Sequence, residues 1–294
     1  MIANTFVIGA MKSATTSLCT WLSEHPDVFM AAPKEPDFFS RDEVYAKGIH
    51  WYESQFRRSG GKAVIAEGST SYTKLLQFPQ AAERLAGHVP NARLIYIVRD
   101  PVERIKSHWA HEVLKARTQL SLDEFVRTHP EAIDISCYWK QINAWRDYFD
   151  DERMLLLFTE EFRDQPAETL NQCFEFLGIS RVDLTGDSGR MNATSQRKMD
   201  RWPIRMLRGQ RWFDVRFEQV KQMIPQTWHP ALKKLFKNNE SVETGSLSDD
   251  TVKWIVDQLA NDSIEFLKFC GKPNDYWASL ALMPPLTCVG NDPT

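Results

Sequence analysis

Residues 5–21 read T-F-V-I-G-A-M-K-S-A-T-T-S-L-C-T-W. The apolar run Phe6-Val7-Ile8 predicts a buried strand, and Leu18, Trp21 and Leu22 recur at helical spacing further on. Between them lies a tight turn, Gly9 to Ala14, holding Lys12 and Ser13, and the helix opens on Thr15, Thr16 and Ser17. A strand, a lysine-bearing loop and a helix N-terminus together make an anion cradle. Loop N–H groups and the helix end aim at one spot, lysine adds a full positive charge, and the hydroxyls add donors. A phosphate is the expected ligand. The loop departs from a Walker A pattern, because the lysine follows Met11 rather than a glycine.

The same alternation continues outward. Ala63–Glu67 is a second apolar run, followed by the hydroxyl-rich loop G-S-T-S-Y-T. Residues 79–88 read as a helix opened by Pro79. Arg93–Val98 is the most pronounced strand and ends in Arg99-Asp100-Pro101. Asp100 suits an N-cap, Pro101 the first helical position, and Glu103 completes a capping-box pattern. On that helix Arg104, Ser107, His108 and His111 share a face. Arg99 and Ser107 could close on a second phosphate, by a guanidinium fork and a hydroxyl. Helices are expected over 121–129, 137–149, 166–177 and 248–270, with a strand at Met154–Phe158. Strands alternating with helices predict an α/β fold with a mostly parallel sheet flanked by helices, whose ligands sit beyond the strands' C-terminal ends. Both candidate phosphate sites lie at such ends.

The loop A-A-P-K-E-P-D-F-F-S (31–40) holds Glu35 between prolines and aromatics. A carboxylate placed there is expected to be stiff and partly desolvated, which suits a general base. Residues 48–56 are aromatic and either line a pocket or pack on the core. Between about 186 and 245 the pattern weakens into arginines interleaved with Trp202, Trp212, Phe213 and Phe217. A solvated helical face that closes over the ligand is the favoured reading there; single-stranded nucleic acid is the other. The chain is expected to form a single domain over 1–282, with a loosely held tail over 283–294.

At 294 residues and a net charge of -3, the chain has the length for a large core and no global field for nucleic acid or an anionic membrane. Five scattered cysteines without metal-type spacing favour a reducing compartment. No stretch reads as a signal peptide or a membrane span, so a cytoplasmic location is expected. No metal ligands are expected.

Taken together, these residues resemble the sulfotransferases that use 3′-phosphoadenosine 5′-phosphosulfate (PAPS), above all bacterial members and domains that modify heparan sulfate. K-S-A-T-T-S-L is similar to that family's 5′-phosphosulfate loop, with Ala14 where a glycine is usual. V-R-D-P-V-E-R-I-K-S-H is similar to its 3′-phosphate motif, and P-K-E-P-D-F-F to the segment carrying the catalytic glutamate. The segments 138–149, 154–166 and 174–179 and G-K-P-N-D-Y-W (271–277) extend the likeness over nearly the whole chain. The resemblance implies a P-loop-like nucleotide-binding fold that transfers a sulfuryl group from PAPS to a hydroxyl or amine, leaving adenosine 3′,5′-bisphosphate (PAP). It implies that Lys12 stabilises the leaving phosphate oxygen. Ser13, Ala14, Thr15, Thr16 and Ser17 would hold the 5′-phosphate, and Arg99 and Ser107 the 3′-phosphate. Glu35 would act as base, with His111 second and His50 third. Arg197 and Lys198 stand where the family has a late cofactor-closing loop. Two departures stand out. Thr159 occupies the place of an adenine-stacking tyrosine, and the region of Gly68–Ser69 lacks the lysine of the heparan sulfate branch. Phe38, Phe39, Trp51 and Trp109 are the expected acceptor-binding residues. They favour a small molecule or natural-product intermediate over a carbohydrate. A P-loop-type kinase, which would want Asp100 on a metal, is the alternative from another class.

Overall fold

A computed structural model describes residues 1–32, 34–182 and 245–280, together with the backbone of 198–200 and 237–241. Five strands, β1 (Thr5–Gly9), β2 (Val28–Met30), β3 (Val64–Gly68), β4 (Arg93–Val98) and β5 (Met154–Phe158), form one sheet in the order β2-β3-β1-β4-β5. Every pairing in it is parallel. All five strands therefore end on the same edge, and the loops leaving β1, β2, β3 and β4 emerge side by side.

Alternating side chains of the strands feed two cores. Phe6, Ile8, Leu94, Tyr96 and Val98 belong to one, and Val7, Ile95, Ile97, Val64 and Leu157 to the other. Helix α1 (Thr15–Leu22) and α10 (Pro166–Leu177) cover the second face with Leu18, Leu22, Leu170 and Phe174. The first face is covered by α3 (Ile49–Ser54), α4 (Ala81–His88), α5 (Pro101–Leu114), α8 (Tyr138–Arg146) and α11 (Asp249–Phe269). Burial on both faces is why these strands read as unbroken apolar runs. Short helices α2 (Asp42–Tyr45), α6 (Leu122–Thr128), α7 (Pro130–Asp134) and α9 (Thr159–Asp164) complete the layer.

Helix ends follow their caps. Asp100 Oδ1 accepts from the N–H groups of Val102 and Glu103 at 3.0 and 3.1 Å, and Pro101 opens α5. The capping box expected from Glu103 is not formed, because its carboxylate pairs with Arg99 and Lys106 instead. The N–H of Asp100 donates to Glu160 Oε1 at 2.8 Å, so the second half of the box comes from α9. The helix expected over 79–88 opens two residues later, at Ala81. The N-terminus of α8 has no cap from its own flank. Asp262 of α11 supplies one, accepting from Trp139 N–H at 3.0 Å and Lys140 N–H at 2.7 Å.

Within 186–245, the described residues pair as two antiparallel strands, β6 (Lys198–Asp200) and β7 (Lys237–Ser241), where a helical region was expected. Arg197, the Lys198 side chain, the aromatics of 202–217 and the tail 283–294 lie outside the described residues. Among the described residues no helix is long and apolar enough to cross a membrane.

Candidate active site

The β1–α1 loop is built as an anion receptor. Gly9 has to be glycine, since a Cβ there would lie 1.9 Å from Thr73 Oγ1. Lys12 and Ala14 both adopt left-handed backbone, with φ of 72° and 60°, and the Ser13 N–H between them closes a turn on the Ala10 carbonyl at 3.2 Å. Ala14 is the N-cap of α1 and contributes no side-chain acceptor, and the first turn has no acid. The opening N–H groups of α1 are thus left to a ligand. Ser13 is wholly buried, and its hydroxyl finds no hydrogen-bond partner among the described residues. A buried, unpartnered hydroxyl inside a cationic loop fits a bound phosphate. Thr15 is buried, Ser17 half-buried and Thr16 exposed.

The neighbouring strand end carries the second arm. Arg99 follows β4, its carbonyl accepts from Tyr138 Oη at 2.7 Å, and its half-buried guanidinium lies 3.4 Å from Glu103. Ser107 is half-buried on α5, two turns on. Asp100 spends both oxygens on N–H groups, the second on Ser279 at 3.1 Å. That is the work of a helix cap, not of a metal ligand. Thr159, in place of the expected tyrosine, donates to the Val98 carbonyl at 2.7 Å.

Glu35 stands beside the cradle. Its Oε1 accepts from Lys34 Nζ at 2.9 Å and from Thr70 Oγ1 at 3.2 Å, and Lys34 Nζ also reaches Thr15 Oγ1 at 3.4 Å. The desolvation expected for Glu35 is not what the structure shows, because 44% of its side chain is exposed. The loop after β2 is open at that point and leaves the carboxylate facing outward. Lys34 also resolves the missing lysine at Gly68. A Cβ at 68 would lie 3.4 Å from Lys34 Cε and 2.7 Å from Cys19 Sγ, so the glycine leaves room for an ammonium arriving from another loop.

A cavity of about 210 Å³ opens beside the loop. Met11, Lys74, His108, Glu112, Arg117 and His129 are among its lining residues. Burial lowers the proton affinity of Lys74 despite the nearby Glu35 and Asp37 carboxylates. His108 is 5% exposed, and its Nδ1 finds no partner among the described residues. Burial, reinforced by Arg104 and Lys74, pushes its pKa down to about 2, so it is neutral at pH 7.

Of the expected acceptor-binding aromatics Phe38, Phe39, Trp51 and Trp109, the first two are taken up by the core. Phe38 and Phe39 are 1% and 0% exposed and pack on Tyr52, as core side chains. Trp51 stacks on Phe38 and carries Lys47 over its ring at 4.3 Å. Trp109 donates its indole N–H to the Leu120 carbonyl at 2.9 Å. His50 is 97% exposed, outside the cavity, and no longer a candidate base. His111 is half-buried on α5, one turn beyond Ser107. Sequence reasoning placed His108 on the Ser107 face and Thr70 in a hydroxyl loop without giving either a role, and it missed Lys34 and Lys74. Lys34 carried a local signal, its adjacency to Glu35.

Comparison with known proteins gives one consistent answer. A family model described as a sulfotransferase domain matches residues 3–233. Human heparan sulfate glucosamine 3-O-sulfotransferase 3B1 is 31% identical over 186 residues, 60% of this chain and 46% of that protein. The mouse heparan sulfate glucosamine 3-O-sulfotransferase 6 is 30% identical over 196 residues, covering 64% and 55%. The chain spans about half the length of these curated relatives. A crystal structure of a sulfotransferase from Alicyclobacillus acidocaldarius superposes with a TM-score of 0.68, at 21% identity, over 95% of this chain and 99% of that one. This last likeness shows the shared fold.

Proposed function

The chain belongs to the sulfotransferase domain family, and from that premise we propose that it moves a sulfuryl group from PAPS to a hydroxyl or amine of its acceptor, releasing PAP. One contact set carries the reading. Lys34 Nζ lies within hydrogen-bond reach of both Glu35 and Thr15, so the carboxylate stands next to the helix end that fits a phosphate. A non-catalytic anion receptor has no use for that carboxylate.

In this reading the donor supplies an activated sulfur bonded to a phosphate oxygen; the acceptor's new S–O or S–N bond replaces that bond. The N–H groups of 14–17 and the Ser13 hydroxyl hold the phosphate next to sulfur. Lys12 places its ammonium where negative charge grows on the leaving oxygen. Arg99 and Ser107 grip the 3′-phosphate and so set the register of the nucleotide. Glu35 takes the acceptor's proton on Oε2, since both of its described hydrogen bonds engage Oε1. Lys34 and Thr70 hold it in place for that step. His111 is the second candidate for the base. Arg197 and Lys198 are assigned to closing over the donor.

The acceptor is a small molecule or a carbohydrate. The charged and hydroxyl-compatible lining of the cavity, with Lys74, Arg117 and the unpartnered Nδ1 of His108, favours one rich in hydroxyl groups over an apolar compound. The heparan sulfate glucosamine relatives support the carbohydrate alternative. A reducing, cytoplasmic setting is supported by the four described cysteines, all of which are free.

The test is transfer of labelled sulfate from PAPS to a panel of hydroxylated acceptors. Glu35→Gln is expected to slow turnover by roughly 10²- to 10⁴-fold with PAP binding intact. Turnover equal to wild type in that variant removes Glu35 as base.

A further inference from the structure

One buried ionisable group has no place in the chemistry above. Glu67, at the end of β3, is wholly buried. Its Oε1 accepts from Tyr52 Oη at 2.9 Å and Tyr72 Oη at 2.6 Å, and its Oε2 from Ser69 Oγ at 2.6 Å. Three hydroxyls from α3 and the 69–73 loop thus converge on one carboxylate. Burial, with the Asp37 carboxylate nearby, pushes its pKa up to about 7, against the pull of those hydroxyls.

Above its pKa of about 7 Glu67 is ionised, and an ionised carboxylate only accepts hydrogen bonds. Each hydroxyl that touches Glu67 must spend its single proton there and turn its lone pairs away. The lone pairs of Ser69 Oγ then receive the Asp37 N–H at 3.1 Å. Those of Tyr72 Oη face the Phe39 N–H at 3.5 Å. Both recipients lie in the loop that carries Glu35. The same 69–73 loop grips it three more times. Thr70 donates to Glu35 Oε1 at 3.2 Å, Ser71 donates to Asp37 Oδ1 at 2.6 Å, and Ser71 Oγ lies 2.7 Å from Ser40 Oγ. The loop needs this restraint. Glu35 and Asp37 sit in left-handed backbone at φ of 65° and 55°, a conformation that is strained for a non-glycine residue.

We propose that Glu67 is the positioning residue of the base: a buried acceptor that fixes the direction of the Ser69 and Tyr72 hydroxyls and thereby clamps the 35–39 loop with Glu35 beside the phosphate cradle. The proposal rests on Glu35 being the base and adds a role for a residue that touches neither donor nor acceptor. Glu67→Gln makes a sharp test because it changes hydrogen-bond direction at nearly constant size. Its amide oxygen still accepts from the tyrosines, but its NH₂ donates toward Ser69. The Ser69 proton is then turned toward the Asp37 N–H, donor against donor.

The experiment compares Glu67→Gln, Ser69→Ala, Glu35→Gln and the double variants with Glu35→Gln, in kcat, in KM for donor and in calorimetric affinity for PAP. The two clamp variants are expected to lower kcat by roughly 10- to 100-fold, the scale of a misplacement of about 1 Å. PAP affinity should stay within about twofold, and neither should slow the enzyme further once Glu35 is already Gln. Ser69→Ala carries the test if Glu67→Gln does not fold. If Glu35→Gln is slow while the clamp variants turn over like wild type, the clamp is overturned and the base stands. The clamp is overturned equally if the variants lose the same factor in the Glu35→Gln background, for then they act through the core at large. If Glu35→Gln itself keeps full turnover, the base reading falls.

Discussion

The two halves of the site are held by different means. The phosphate cradle at 9–17 is made of backbone: left-handed turns at Lys12 and Ala14 and a helix end without a side-chain cap. Its conformation is set by residues next to one another in sequence. The base loop at 34–39 is made of side chains. It is held by Ser69, Thr70, Ser71 and Tyr72, and behind them by Glu67, residues more than thirty positions away. The cradle is local and rigid with its helix, while the base depends on long-range hydrogen bonds whose direction can be reversed by a single atom.

That contrast can be broken in three places. The largest effect is expected at Lys12, which adds a full charge to the cradle's N–H groups. Lys12→Met should reduce kcat by roughly 10²- to 10³-fold, as loss of one charge-stabilising donor does. Transfer assays at saturating donor measure it, and a loss confined to KM would make Lys12 a binding group only. Next comes the pH dependence of Glu67. With its folded pKa at about 7 against an ordinary value of 4.5, the folded state keeps, between those two pH values, a proton that the unfolded chain has released. Stability is fully present below about pH 4.5 and falls as pH rises toward 7, by up to about 3 kcal/mol. Denaturant titrations should show that slope in wild type and lose it in Glu67→Gln. The smallest effect is at Ala14. Its φ of 60° suits glycine, so Ala14→Gly should raise stability by up to about 1 kcal/mol, seen as a higher Tm. A lower Tm would mean that the unfolded-state entropy of the added glycine outweighs the relieved strain.

The same contrast explains what could be read in advance. β1, β4 and β5 were legible because a strand buried on both faces is a continuous apolar run. Asp100-Pro101 announced α5, because a cap and a ring-fixed φ are local devices. β2, with three residues, gives too short a run to register. Glu103 looked like the partner of Asp100 by spacing, yet Glu160 took that N–H from another helix. Phe38 and Phe39 looked like a pocket because composition does not say which way a ring faces; here both face the core. Lys34 passing over Gly68 and Lys74 beside His108 are products of loop crossing at the sheet edge, and no spacing rule encodes them.

The most direct test of the central claim is calorimetric titration of the protein with PAP beside adenosine 5′-monophosphate and ATP-Mg. The account predicts tight binding of the bisphosphate alone, weakened by roughly 10- to 100-fold in Arg99→Ala, the scale of a lost charged hydrogen bond. Equal or tighter binding of ATP-Mg, indifferent to Arg99, would contradict it and return the site to a nucleoside-triphosphate enzyme.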